Sequence, residues 1–229
     1  GSGLRFAGIP FAASTAGEGR WRAPMPADPW TEVRDATGFG AIAPQNPDMM
    51  MAFLGLEPEP MGEECLHLNV FTPAADEAAR PVMVWIHGGA FTTGDASTYA
   101  DPGPMVSRGV IVVAIHYRLG AMGFLAHPAL RDAGGSAGDY GMMDQQAALR
   151  WVRANISAFG GDARNVTIFG ESAGGFSVLT HLASPQSKGL FDKAIIESGA
   201  YGVADQLTQA GMETKSQAAL ETAMAGQDV

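Results

Sequence analysis

From residue 66 onward, short runs of almost wholly apolar residues recur along this chain: Val82 to Ile86, Val110 to Ile115, Val166 to Phe169 and Ala194 to Ile196. Their length and their β-branched content suit strands buried on both faces of a parallel sheet. Leu66 to Phe71 alternates instead, with Leu66, Leu68 and Val70 set against His67, Asn69 and Phe71, and it also reads as a strand. Between the later runs the period changes. Ala148, Trp151, Val152, Asn155, Ile156 and Phe159 follow the i, i+3, i+4 rule, which predicts an amphipathic helix from about Met142 to Phe159, ended by Gly160 and Gly161. A second helix is predicted over Ala173 to Ala183, stopped before Pro185, and a third over Gln206 to Ala225 with Glu and Lys on its outer face. Strands alternating with helices mean an α/β fold with a mostly parallel central sheet and helices on both faces. Leu4 to about Pro60 is rich in Pro, Gly and Met and has little periodicity, so it is expected to wrap the core as loops and short pieces.

Composition narrows the function classes. With 229 residues, 46% of them hydrophobic and 17% charged, the chain can build one sizeable core and has no disordered character. A formal net charge of −10 repels phosphate backbones and argues against a nucleic-acid partner. No apolar run approaches the ~20 residues of a membrane span. Cys65 is the only cysteine, so neither an internal disulfide nor a thiolate metal cluster can form, and it reads as a buried apolar residue. The compartment stays open between cytoplasmic and secreted.

The chemistry lies in two Gly-rich turns. Gly170-Glu171-Ser172-Ala173-Gly174 matches G-x-S-x-G, with the run Val166 to Phe169 leading in and the helix from Ala173 leading out. A strand-to-helix turn that sharp strains the serine backbone and leaves room only for tiny neighbours, here Gly170 and Gly174, while Gly175 lets the helix approach the sheet. Such a turn lifts the Ser172 hydroxyl above the sheet and sets a helix N-terminus beneath it, where negative charge is favoured. The second turn, His87-Gly88-Gly89-Ala90-Phe91, follows the strand Val82 to Ile86. Acyl transfer creates a tetrahedral oxyanion that needs fixed N–H donors. A Gly-Ala run leaves its backbone amides uncovered, and the amide after the nucleophile, that of Ala173, adds another.

These segments resemble the type-B carboxylesterase/lipase family from one end of the chain to the other. GIPFA (Gly8 to Ala12), RWRAP (Arg20 to Pro24), EECLHLNVFTP (Glu63 to Pro73), VMVWIHGGAF, HYRLGAMGFL, the long stretch from GDYGMMDQQAALRWVRANISAFGG to TIFGESAGG, and HLASPQSKGLFDKAIIESG (His181 to Gly199) all follow its pattern. The resemblance implies an α/β-hydrolase fold and serine esterase chemistry that needs no cofactor or metal. It implies Ser172 as nucleophile, Gly89, Ala90 and Ala173 as oxyanion donors, and Gly88 as a loop-shaping residue. The Gly88-Gly89-Ala90-Phe91 loop is of the kind associated with bulky alcohol esters. Arg118 with Asp144, and Arg20 with Glu63, match buried structural ion pairs. Glu171 and Ser198 are candidates for a supporting layer under the nucleophile, and Met49, Met50, Met51 and Phe53 for the lining of a substrate gorge. Ala43 stands where many relatives carry a Cys that pairs with the equivalent of Cys65.

The triad order of this fold is Ser, then Asp or Glu, then His. Only His181 follows Ser172, and at 1.5 Å per residue it lies roughly 13 Å along the helix that starts at the nucleophile, out of reach. His67, His116 and His127 have no partner motif and read as structural. The expectation is therefore a single partial α/β-hydrolase domain over residues 1–229, incomplete at both ends. It would act on small-molecule esters, with the base and the acid supplied by a C-terminal half. An inactive fragment or scaffold of the superfamily, and an amidase, lactonase or acyltransferase, remain the alternatives.

Overall fold

The computed structural model describes residues 3–46, 60–97, 102–131, 137–199 and 209–225. In chain order its elements are β1 (Leu4–Pro10), β2 (His67–Thr72), β3 (Arg80–Ile86), α1 (Gly103–Val106), β4 (Ile111–Ile115), α2 (Gly120–Phe124), α3 (Tyr140–Asn155), β5 (Gly161–Glu171), α4 (Ala173–Ala183), β6 (Lys193–Glu197) and α5 (Gln209–Ala225). The six strands form one sheet in the order β1-β2-β4-β3-β5-β6. β1 and β2 run antiparallel, as do β2 and β4, and the three remaining pairings are parallel. This is the α/β fold expected, with a mixed sheet that is parallel where the two Gly-rich turns emerge.

The alternation within the central strands decides how the sheet is covered. Val82, Val84 and Ile86 of β3 join Ile111, Val113 and Ile115 of β4 and Val166 and Ile168 of β5 on one face, under Leu149 and Val152 of α3 and Val178 of α4. All of these side chains are fully buried. Each removes enough apolar surface to contribute about 1.5–3 kcal/mol. Val112 and Ala114, with Trp85 and Phe71, point to the other face, where Val106 of α1 and Phe39 cover them. Among the described residues, α3 and α4 thus share one face and the short α1 lies on the other.

Sequence and structure differ at four places. Leu4 to Pro10 is a strand, not a loop, and it pairs along β2 with a register shift between Phe6 and Ile9. Gly8 takes φ 67° at that bulge, and its N–H donates to Asn69 Oδ1 at 3.0 Å. The Gly and Pro that hide the strand pattern belong to an edge with one neighbour, where both are tolerated. β5 begins at Gly161, ahead of the apolar run at Val166. α3 starts at Tyr140, and Ile156–Phe159 closes as a 3₁₀ turn before Gly160 at φ 83°. In α5, Lys215 and Glu221 are exposed as expected, but Glu213 faces inward and grips the Arg131 guanidinium, with Nε to Oε1 at 2.7 Å.

Of the two expected buried ion pairs, one is buried. Arg118 donates to Asp144 from Nε, from the second guanidinium nitrogen and from its own backbone N–H at 2.8, 2.8 and 3.0 Å, and both side chains are sealed from solvent. Arg20 and Glu63 do pair, at 2.5 Å, but on the surface, with side chains 45% and 21% exposed. Cys65 is wholly buried, and burial pushes its thiol pKa up to about 12. Met49, Met50, Met51 and Phe53, and residues 206–208 of the predicted third helix, lie outside the described residues. No helix among the described residues is long and apolar enough to cross a membrane.

Candidate active site

Ser172 sits between the end of β5 and the first turn of α4 with φ 57° and ψ −119°, a conformation that costs a non-glycine residue about 1–3 kcal/mol and is held only by strong surroundings. Those surroundings are backbone. The Ser172 N–H donates to the Glu197 carbonyl of β6 at 2.9 Å. A Cβ on Gly170 would stand 2.5 Å from the Gly174 carbonyl carbon and 2.7 Å from the Ile86 oxygen. One on Gly174 would collide with the Ile86 carbonyl oxygen, and one on Gly175 would lie 2.6 Å from Glu197 O. Close approach of β3, β5, β6 and α4 therefore requires all three glycines, as the motif predicts. Ser172 itself is exposed.

The loop after β3 comes against this turn. A Cβ on Gly88 would lie 3.2 Å from Ser172 Cβ and 2.7 Å from Glu171 O, so only a glycine lets the loop lie so close to Ser172. Gly89, Ala90 and Phe91 then take φ 102°, 54° and 61°. The Phe91 carbonyl accepts from Gly120 N–H at 2.7 Å, and the Phe91 ring packs on Phe124 and Phe176.

In a trans peptide the carbonyl and the following N–H point in opposite directions. Anchoring one aims the other. The Gly88 carbonyl, in the plane that carries the Gly89 N–H, lies 2.8 Å from His87 Nδ1. A carbonyl only accepts, so Nδ1 carries the proton. The Gly89 carbonyl, in the plane of the Ala90 N–H, accepts from the Thr92 and Thr93 amides at 3.0 Å each, with both hydroxyls at 3.3 Å. The Ser172 carbonyl, in the plane of the Ala173 N–H, accepts from Phe176 N–H at 2.9 Å. All three candidate donors thus share a peptide plane with a pinned carbonyl. None of the three N–H groups donates to an acceptor among the described residues.

His87 is itself held. Its ring stacks on Tyr117 at 4.4 Å, and the Tyr117 hydroxyl donates to the His87 carbonyl at 2.8 Å. Burial lowers the imidazole pKa below its usual value and keeps it neutral. Sequence reading did not single out Tyr117, Thr92 or Thr93. The threonine pair right after the loop was the available signal, since such hydroxyls and amides close local turns.

Glu171 precedes Ser172 in the chain, and Ser198 follows Glu197, whose carbonyl accepts from the Ser172 N–H. Both are exposed, Ser198 at φ 49°, and neither side chain bonds to Ser172 among the described contacts. His181 lies in α4 as expected; it is buried and belongs to a directed chain of hydrogen bonds. Gln145 Nε2 donates to Ser177 Oγ at 3.1 Å, and Ser177 Oγ donates to the Ala173 carbonyl at 3.0 Å. Gln145 Oε1 must then accept from His181 Nε2 at 2.9 Å, leaving Nδ1 to accept from Ser187 Oγ at 2.9 Å. This is a neutral imidazole, its pKa pushed by burial down to about 4. Among the others, His116 is buried and pushed by burial down to about 3, and His127 Nδ1 accepts from the Ala129 N–H at 3.2 Å.

Comparison with known proteins matches this architecture. The model of the carboxylesterase family fits residues 4–228. The para-nitrobenzyl esterase of Bacillus subtilis is 48% identical over 198 residues, which are 86% of this chain and 40% of that protein. An acylcarnitine hydrolase of Mus musculus is 46% identical, covering 89% of this chain and 37% of its own length. A solved PNB esterase superposes with a TM-score of 0.85 at 44% identity, over 95% of this chain and 44% of that one. A carboxylesterase of Geobacillus stearothermophilus gives 0.83 at 40% identity, with the same two coverages. The chain thus spans less than half the length of these relatives.

Proposed function

Because the chain belongs to the carboxylesterase family, we propose that it carries the nucleophile and the oxyanion-binding amides of a serine hydrolase of small-molecule carboxylic esters. The observation that carries this reading is Ser172 held at φ 57° between β5 and α4, a strained and exposed position with no packing purpose. Ser172 Oγ attacks the ester carbonyl carbon and passes its proton to a base. The carbonyl oxygen becomes an oxyanion that the N–H groups of Gly89, Ala90 and Ala173 receive. Collapse expels the alcohol, which takes the proton, and leaves the acyl group on Ser172; water then repeats the sequence and releases the acid.

The base is a histidine from sequence beyond this chain, together with its acid partner. His181 is committed to Gln145 and Ser187 and His87 to Gly88. Two of the relatives named above are a para-nitrobenzyl esterase and an acylcarnitine hydrolase, names that point to two different alcohols, so the reading stops at the ester class.

The test is p-nitrophenyl butyrate hydrolysis and fluorophosphonate labelling of this chain, alone and mixed with the C-terminal portion of the Bacillus subtilis relative, with Ser172→Ala as control. Turnover and labelling at Ser172 that appear on mixing and vanish in the variant are expected. Hydrolysis indifferent to Ser172→Ala, or no label on Ser172 in either sample, overturns the reading. Faster cleavage of the matched amide would move the activity to that class.

A further inference from the structure

Gln45 lies in the stretch that shows no periodicity, 49 residues from the loop it touches. Its carboxamide makes a paired contact with one glycine: the Gly94 N–H donates to Oε1 at 2.8 Å, and Nε2 donates to the Gly94 carbonyl at 3.0 Å. Nε2 also donates to the Ala43 carbonyl at 3.1 Å. The orientation of the amide is unambiguous, because the reverse would set two donors against each other at the Gly94 N–H. Gln45 thereby imitates one rung of a β-ladder. Its own base is firm. Ile42 bridges Met61 and exchanges backbone bonds with Pro60 and Gly62 at 2.9 and 3.0 Å, and Ala43 is buried in the main core.

Gly94 is the residue on which the oxyanion loop closes. At φ 109° it packs so tightly that a Cβ would sit 2.5 Å from His87 Nδ1 and 2.7 Å from Gly88 O. Those are the two atoms whose hydrogen bond aims the Gly89 N–H. Its neighbour Thr93 supplies the amide that pins the Gly89 carbonyl and so aims the Ala90 N–H. A single side chain from a distant segment therefore holds the far end of the loop against the His87–Gly88 corner.

Resting on the esterase reading above, we infer that Gln45 is a positioning residue for the oxyanion loop: by clamping Gly94 through both its backbone groups it sets the directions of the Gly89 and Ala90 amides. It touches neither substrate nor Ser172. Its loss leaves Ser172 in place and lowers stabilisation of the tetrahedral intermediate.

The test compares wild type with Gln45→Ala and Gln45→Glu in the sample that hydrolyses p-nitrophenyl butyrate, and records amide ¹⁵N spectra of the 229-residue chain for each. Gln45→Ala is expected to lower kcat about tenfold with KM within twofold. The Glu variant, which keeps the acceptor for the Gly94 N–H and loses the donor to its carbonyl, is expected to fall between. The Gly89 and Ala90 amide resonances are expected to move along with that of Gly94, while those of β5 and α4 stay. Unchanged kcat, an equal rise in KM, or shifts confined to Gly94 overturn the inference. A wild-type chain not labelled at Ser172 refutes the esterase reading instead, and the Gly89 and Ala90 resonances still decide the role of Gln45.

Discussion

The two turns that meet at Ser172 reach the same left-handed backbone by opposite means. The nucleophile turn is steric: Gly170, Gly174 and Gly175 allow four backbone segments to touch, and no side chain holds the shape. The oxyanion loop is bonded: Ala90 and Phe91 keep positive φ values with full side chains, because Thr92, Thr93, His87 and Gly120 tie its carbonyls down. A steric turn tolerates no added atom and should fail as a unit. A bonded loop has several ties and should lose function by degrees.

The sharpest break of that contrast is Gly174→Ala. Its Cβ would meet the Ile86 carbonyl oxygen at the end of β3 and stand 3.0 Å from that of His87, the next residue. Against fixed backbone such overpacking falls at the top of its usual range of about 1–3 kcal/mol, and a lowered urea midpoint with loss of Ser172 labelling is expected. Acid gives the next effect, because two buried imidazoles are held neutral, His181 within α4 and His87 in the loop. The unfolded chain takes up a proton near the ordinary histidine pKa of about 6.5 and the folded chain does not. Stability is therefore full above that pH and falls as pH drops towards the His181 value of about 4. The loss is roughly 3 kcal/mol from His181 alone, read as a steady fall of the denaturant midpoint between those limits. A midpoint flat from pH 7 to 4 would contradict the neutral hydrogen-bond chain through Gln145 and Ser187. The smallest effect is expected of Thr93→Val, which removes a hydroxyl at 3.3 Å from Gly89 O and keeps the amide tie. Less than about 1 kcal/mol of stability should go, with turnover lowered no more than threefold. A loss as large as that of Gly174→Ala would show that the loop is no more forgiving than the turn.

The same contrast explains what was legible in the sequence. Steric requirements write themselves as residue types at fixed spacing, so G-x-S-x-G located the strained turn at Ser172 and α4 begins and ends where the pattern placed it. Buried strands announced themselves through β-branched runs. Bonded requirements do not. Gln45 satisfies Gly94 across 49 residues, and any Gln in a Pro-rich stretch looks alike. β1 was hidden because an edge strand admits a Gly at a bulge and a Pro at its end. Arg20–Glu63 and Arg118–Asp144 look equivalent as letters, yet one lies in water, where solvent screening and side-chain entropy leave little net gain. Removing one partner of the other is expected to cost about 3–5 kcal/mol.

The buried thiol gives the chain a clock. Cys65 lies in the main core just ahead of β2, with no exposed surface and a pKa of about 12, so at neutral pH its sulfur is both protonated and covered. An alkylating reagent can reach it only while the core is open. Since the chain holds no other cysteine, one mass increment per molecule would report how often the core opens, without a spectroscopic probe and without touching either turn.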